Sequence, residues 1–485
     1  MEYNLRWDKL LSGERERVSS ASSTDHRNEF DKDYDRIVYS SSIRRLQDKA
    51  QVFPLQENDF TRTRLTHSIE ASALARSLGS AIGKWLKEEK KEINERQERE
   101  LTSLLQVSAL IHDLGNPPFG HYGEDVIRKW FLEWFGSEEF EKINSGIDEN
   151  LRLKDEEKSD FINFEGNAQT LRIVTKLQML NDHHGVNFTY GTLSTIMKYP
   201  WQANNENSFK KDKFGYFASE KGIVQRMYES TGLSDTIRHP ATFLLEAADD
   251  MAYLCADIED AVKKGIVSWQ QKYNDIKMKL KDKNDSYRGM FEDLDKKNEV
   301  NRQRQIPEQE VVAIQNFKVK AQGLMFNSVV QTFKDNYNEI MNGEHTYFDS
   351  EKKVYKYSEL LDNEDVRDLV FELKELQKIC FVDKEVLTLE LVGDTVISGL
   401  LDMLVNELVK CKKEPDSKLK SGKLYSLISD NFKYICLFDY EEERKKDFMD
   451  LSVYDKLLLI TDFISGMTDS YAVNLYKELI GVKLP

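Results

Sequence analysis

Helical periodicity constrains this chain more than any other feature. Apolar residues recur at three- and four-residue spacing through Glu70–Leu86, Ser103–His112, Asn167–Leu180 and Thr242–Val262. That spacing sets one face of a helix against a core. Only 8 prolines interrupt 485 residues, so few breakers shorten the helices. Alternating strand patterns are few and short. The clearest spans Thr346–Lys356 and reads as a hairpin around Tyr-Phe-Asp-Ser-Glu-Lys-Lys-Val-Tyr. The fold class expected is mostly α, a large helical fold with few short strands.

With 40% hydrophobic and 11% aromatic residues, the composition is that of a globular chain with a large core. Two polar runs stand out. Lys84–Glu100 reads as a solvated helix end and its connection, and Lys272–Gln309 as an insertion or mobile connection. The expected organisation is a core over 1–265, a polar connecting region over 266–350 and a C-terminal helical region over 351–485 packed on the core. No internal repeat divides the chain, and no Gly/Ser or Pro linker separates these parts.

Four widely spaced cysteines, with no Cys-x-x-Cys pair, argue against a zinc ribbon or a redox motif and for reduced structural thiols. The N-terminus lacks the basic start and apolar stretch of a signal peptide, and no run of about 18 apolar residues offers a membrane span. A cytoplasmic protein is expected. The net charge of −16 argues against general coating of nucleic acid. A local basic pocket for a small anionic substrate remains compatible with that balance.

The residues that carry chemistry are four separated metal-type ligands: His67, the doublet His112-Asp113, and Asp249. The doublet lies in Ala-Leu-Ile-His-Asp-Leu-Gly-Asn-Pro-Pro-Phe-Gly-His-Tyr-Gly-Glu, residues 109–124. Leu114-Gly115 and the prolines end the preceding helix there, so both side chains can reach one ion off its terminus. Imidazole with carboxylate suits Mn, Fe, Co, Ni or Zn and tolerates Mg. Around Asp249, Glu246, Asp250, Tyr253 and Asp257 recur at three- and four-residue spacing on an apolar helix, and acids there need partners or a metal. His121 and Glu124, three apart, can share one face of a turn, Glu124 holding one imidazole tautomer and raising its basicity.

These segments closely resemble the deoxyguanosine triphosphate triphosphohydrolases, the bacterial dGTPases of the HD superfamily. The resemblance extends to Tyr-Ser-Ser-Ser-Ile-Arg-Arg-Leu-Gln-Asp-Lys-Ala-Gln-Val-Phe-Pro-Leu (39–55), Arg-Thr-Arg-Leu-Thr-His-Ser (62–68) and Phe-Glu-Gly-Asn-Ala-Gln (164–169). It also covers Glu-Ala-Ala-Asp-Asp (246–250), Val-Ile-Ser-Gly-Leu-Leu (396–401) and Ile-Ser-Gly-Met-Thr-Asp (464–469). It thus runs from about residue 25 to 475 and is weakest over 140–160 and 270–350.

The resemblance implies a metal-dependent hydrolase, with Mg2+ or Mn2+, that cuts dGTP, or another dNTP, into deoxynucleoside and triphosphate. It implies His67, His112, Asp113 and Asp249 as metal ligands and His121 with Glu124 as the catalytic pair. A triphosphate needs basic groups, for which Arg45, Arg64 and Lys198 are candidates, with Tyr199 beside Lys198. Tyr253 would stack on the sugar and Asp257 would bond its 3′-hydroxyl, while Gln47 and Asn167 match family pocket positions. Lys423 and Lys433 lie where the family often carries arginine toward the base. A homo-oligomer, usually a hexamer, and control by nucleotide or single-stranded DNA also belong to the family. Two other classes share the His-Asp signature: an HD phosphodiesterase, and a nucleotide-binding regulatory protein without catalysis. Segments 39–55 and 164–169 disfavour the first, and the intact ligand set with His121 disfavours the second.

Overall fold

The computed structural model describes residues 5–18, 25–56, 58–180, 182–205, 213–411, 413–439 and 444–482. Helices dominate these residues, as the periodicity predicts. The centre is a stack of three: Arg64–Trp85 packs along Glu95–Ile111, and Pro240–Lys263 packs across Arg64–Trp85. Each begins with a side-chain or proline signal. Thr63 and Thr66 form a capping box at the first, and Asn94 and Gln97 form one at the second. His239 caps the third by accepting from the Ala241 amide, with Pro240 inside the first turn.

The four helical runs read from the sequence are all helical, though their ends move. The Lys84–Glu100 run is a helix end and its connection, as expected, but the connection is short. The first helix continues through a π-type stretch to Lys90, and the second starts at Glu95. Lys91, in the left-handed conformation at φ 58°, turns the chain between them. Charge in this run reflects two solvated helix ends rather than an unstructured link.

The Lys272–Gln309 run also departs from the expectation of a mobile connection. It lies within the helices Trp269–Leu280, Asp285–Gln303 and the start of Gln309–Asp335. Its polar residues cover one face, while Tyr273, Ile276, Leu280, Tyr287, Met290, Phe291 and Leu294 are buried on the other. Each such side chain contributes roughly 1.5–3 kcal/mol when buried, enough together to hold the segment on the core. The long helix Gln309–Asp335 then packs against Pro240–Lys263. A hairpin follows as expected, Thr346–Asp349 paired antiparallel with Val354–Tyr357.

C-terminal helices close the other side. Lys384–Leu408 packs on Gly120–Phe135, and Val453–Ser465 and Asp469–Leu479 pack on Lys384–Leu408. One hydrophobic cluster runs from Leu5 to Leu475 through all of these parts. Among the described residues no helix is long and apolar enough to cross a membrane. Cys255 and Cys380 are buried, and all four cysteines are free thiols.

Candidate active site

The metal-type ligands come from three elements of the central stack. His67 lies in the first turn of Arg64–Trp85, His112-Asp113 at the end of Glu95–Ile111, and Asp249 within Pro240–Lys263. Their reactive atoms converge. His67 Nε2 is 3.0 Å from Asp249 Oδ1, and His112 Nε2 lies 3.4 Å from that oxygen and 3.6 Å from Asp113 Oδ1. His67, His112 and Asp113 form a group able to hold one metal ion.

Tautomer and electrostatics fit such an ion. His112 Nδ1 donates to the Ala109 carbonyl at 2.7 Å, which leaves the Nε2 lone pair facing the carboxylates. That Nε2 is buried without a hydrogen-bond partner, a deficit of about 1–3 kcal/mol that a metal ion would remove. Burial alone would lower the His112 pKa, but the Asp113 and Asp249 carboxylates push it up to about 9. The pocket therefore demands positive charge, supplied by a proton or by a metal. Burial raises the pKa of Asp113, yet Arg64, His112 and His67 outweigh it and hold the carboxyl well below its usual range. Asp249 is held low by the same two imidazoles against the same burial. Two imidazole nitrogens and two ionised carboxylates suit a divalent first-row cation.

Asp113 is fixed at both oxygens. Arg64 Nη1 donates to Oδ2 at 2.6 Å, and Asn116 Nδ2 donates to Oδ1 at 2.6 Å. Arg64, a candidate for the phosphates, is 4% exposed, and its Nη1 contact orients Asp113, a candidate metal ligand. The chain makes room for it at Gly120, where φ is +60° and a Cβ would sit 2.5 Å from Arg64 Nη2. Phe119, also left-handed at φ 62°, precedes it, and this kink after Pro117-Pro118 starts the helix Gly120–Phe135.

That helix carries His121 and Glu124. His121 Nδ1 is 3.1 Å from Glu124 Oε2, the imidazole 78% exposed and the carboxylate 1% exposed. Glu124 Oε1 accepts the Gly166 amide at 2.8 Å. Gly166 must be glycine here, because a Cβ would come within 2.7 Å of Glu124 Oε1. The Phe-Glu-Gly-Asn segment thus buttresses the acid that holds His121. Glu124 raises the His121 pKa chiefly through their hydrogen bond. Burial works to raise Glu124, but His121, Lys213 and Arg128 hold it low, so it is ionised.

The remaining candidates spread over the surrounding walls. Lys198 Nζ pairs with Glu246 Oε1 at 2.9 Å and stays charged, the neighbouring carboxylate overcoming burial. Tyr199 lies beside Lys198 and packs near Trp201. Asn167 Nδ2 donates to Glu165 Oε1 at 2.7 Å. Tyr253, with its hydroxyl facing Asp250, lies one turn beyond Asp249. Asp257 is 2% exposed, and Gln377 Nε2 donates to its Oδ2. Gln47 is exposed in a cleft of about 300 Å³ shared with Thr63, the residue that caps the His67 helix.

Arg45 is the outlier. It borders a separate small cleft with Ser42, Gln178, Phe432 and Asp462. Lys423 is exposed on the helix Lys420–Leu427, and Lys433 pairs with Asp430 at 2.7 Å while facing the Tyr425 ring.

Several neighbours escaped the sequence reading. Asn116 stood inside the His-Asp segment, and Glu165 inside Phe-Glu-Gly-Asn, so both motifs pointed at them. Lys213 Nζ pairs with Glu165 Oε2 at 2.6 Å and raises the positive charge near Glu124. No local pattern announces it. Lys49 is 2% exposed, with Nζ donating to the Asn116 and Ser465 carbonyls at 2.5 and 2.9 Å. It ties the Gln-Asp-Lys-Ala segment to the loop that carries Asp113.

Known proteins resemble this sequence along the whole chain. The HD domain family model matches residues 64–172, the stretch from Arg64 through the helix that carries Asn167. The chain is 38% identical over 488 residues to the deoxyguanosinetriphosphate triphosphohydrolase-like protein of Listeria innocua, covering 99% of this chain and 100% of that protein. This chain belongs to the deoxyguanosinetriphosphate triphosphohydrolase family of HD proteins. A similarly named protein of Synechocystis sp. is 31% identical, over 99% of this chain and all of its own length. The deoxyguanosinetriphosphate triphosphohydrolase of Klebsiella pneumoniae is 31% identical, over 94% of each chain. Family membership places the chain among the HD phosphohydrolases.

Proposed function

We propose that this protein hydrolyses dGTP, with other dNTPs as competing substrates, to deoxynucleoside and inorganic triphosphate. The observation that carries this reading is the juxtaposition of a two-His, two-Asp cradle with the Glu124-held imidazole of His121, in a chain whose relatives are named deoxyguanosinetriphosphate triphosphohydrolase or triphosphohydrolase-like protein. His67, His112, Asp113 and Asp249 would hold a divalent cation, Mg2+ or Mn2+, which would supply Lewis-acid polarisation of the α-phosphoryl oxygen and acidify a water. Water forms the new bond to the α-phosphorus, and the bond to the sugar 5′-oxygen breaks.

In this reading the protein's own side chains prepare and time that step. Glu124 occupies His121 Nδ1, which leaves Nε2 to exchange a proton with the attacking water or the departing 5′-oxygen. Arg64 and Asn116 keep the Asp113 carboxylate aimed at the cradle. Lys198 and Lys213 oppose the triphosphate charge, with Tyr199 and Asn167 lining the same wall. Tyr253 stacks on the deoxyribose. Asp257, whose Oδ2 is held by Gln377, leaves Oδ1 for the 3′-hydroxyl, and Gln47 approaches that hydroxyl from the His67 side. Arg45 contributes at longer range. The preferred base depends on residues from the C-terminal helices, where Lys423 and Lys433 stand. A homo-oligomer, hexameric by resemblance, and nucleotide or single-stranded DNA effectors complete the proposal.

The test is a panel of dNTPs incubated after chelation with each of several metals, with products resolved by chromatography. Free triphosphate and deoxyguanosine are expected. Monophosphate with pyrophosphate, and no triphosphate, would reject the reading.

A further inference from the structure

Lys198 has no secondary structure to hold it. It follows the end of the helix Tyr190–Ile196, in an irregular turn where its amide donates to the Ile196 carbonyl at 3.0 Å. A flexible ammonium there would meet a triphosphate in many geometries. One residue removes that freedom. Arg238, 4% exposed, donates Nε and Nη2 to the Lys198 carbonyl at 3.0 and 2.8 Å. Its Nη1 bonds Glu246 Oε2, and Glu246 Oε1 holds the Lys198 ammonium at 2.9 Å. The ring of contacts is closed. Arg238 grips the Lys198 main chain directly and its side chain through Glu246.

The clamp is itself seated. The Arg238 guanidinium lies 3.9 Å above the Tyr357 ring centroid, and the Tyr357 hydroxyl donates to the Thr236 carbonyl at 2.9 Å. The hairpin thus backs the arginine from outside. Only a planar guanidinium presents three donors in these directions at once while stacking on a ring, so lysine cannot replace it.

We propose that Arg238 is a positioning residue that sets Lys198, through the Lys198 carbonyl and Glu246, for the triphosphate half of the substrate. This rests on the function proposed above. It predicts that loss of Arg238 weakens recognition of triphosphate and leaves recognition of the nucleoside alone.

The experiment measures inhibition of the full-length enzyme by inorganic triphosphate and, separately, by deoxyguanosine. The enzymes are wild type, Arg238→Lys, Arg238→Gln, Lys198→Ala and the double variant of Arg238→Lys with Lys198→Ala. If Arg238→Gln fails to fold, Tyr357→Leu, which removes the supporting ring together with its hydroxyl bond to Thr236, takes its place. The inhibition constant for triphosphate and KM are expected to rise about tenfold or more in the Arg238 variants, as for a lost charge-assisted contact. The constant for deoxyguanosine is expected to stay unchanged. The double variant is expected to be no worse than Lys198→Ala, since both act through one group. Equal weakening of both inhibitors, or additive losses in the double variant, would overturn the proposal. So would an unchanged triphosphate constant in the Arg238 variants when Lys198→Ala raises it. A Lys198→Ala enzyme with unaltered triphosphate inhibition would likewise overturn it, whereas a wild type that releases no triphosphate would remove the underlying function and this inference with it.

Discussion

The helix Pro240–Lys263 offers the same residue type two opposite environments. At its metal end Asp249 faces two imidazoles and is held ionised well below its usual range, in spite of burial. One residue on, and two turns further, Asp250 and Asp257 are each pushed up to about 7, chiefly by burial, with the Asp249 charge adding to it at Asp250. The contrast shows where the fold has concentrated compensating charge. In the cradle, His112 is braced by the Ala109 carbonyl and Asp113 by Arg64 and Asn116. On the nucleotide side the polar groups are held by one another: Lys198 by Glu246, Asn167 by Glu165, Asp257 by Gln377. In the proposed function, substrate enters among these internal partners.

The sharpest way to break the contrast is at the cradle and at His121, the proton donor proposed above. Asp113→Ala should abolish turnover and bound metal together, measured by product release and by metal content after dialysis. His121→Ala should lower kcat by roughly 10²–10⁴-fold while substrate binding, measured by calorimetry, persists. Unchanged turnover would remove His121 from the reaction. Next in size, Arg64→Ala should weaken metal affinity by about 10–100-fold, since Arg64 braces a ligand rather than supplying one. If Arg64 instead serves the phosphates, KM would rise and metal titrations would not change.

Smaller effects belong to the nucleotide side. Asp257 has a folded-state pKa of about 7, above the 3.8 of the free side chain. A raised carboxyl favours the folded state while protonated, so its contribution is complete below pH 3.8 and is lost as pH rises through 7. Asp257→Asn should therefore gain stability relative to the parent between pH 5 and pH 8. A rise in Tm of the order of 1–3 °C at pH 8, and less at pH 5, is expected by thermal denaturation. The same difference at both pH values would show that Asp257 does not titrate in that window.

Much of this was legible from residues in order. Helix runs, the hairpin and the His-Asp doublet depend on neighbours within four positions, and local spacing records them. Family segments such as Phe-Glu-Gly-Asn marked their place, although nothing local said that Gly166 supports Glu124. Where the reading went astray, polarity was mistaken for disorder. The 272–309 run carries its apolar residues on one face of each helix, and high charge on the other face masked them. The contact that Arg64 makes to Asp113 was also not legible in the sequence. An arginine near a phosphate site and one that braces a carboxylate have the same sequence context, and only the 2.6 Å contact to Asp113 separates them.

Sequence alone settled the helical class, the segments that meet at the site and the family. These follow from periodicity and from short runs whose chemistry survives without coordinates. Tertiary structure decided which charges face which. Lys213 reaches Glu165 across 48 positions, Gln377 reaches Asp257 across 120, and Lys49 reaches Ser465 across 416. Electrostatic compensation acts through space over a few ångströms, and chain separation carries no information about it until the helices pack.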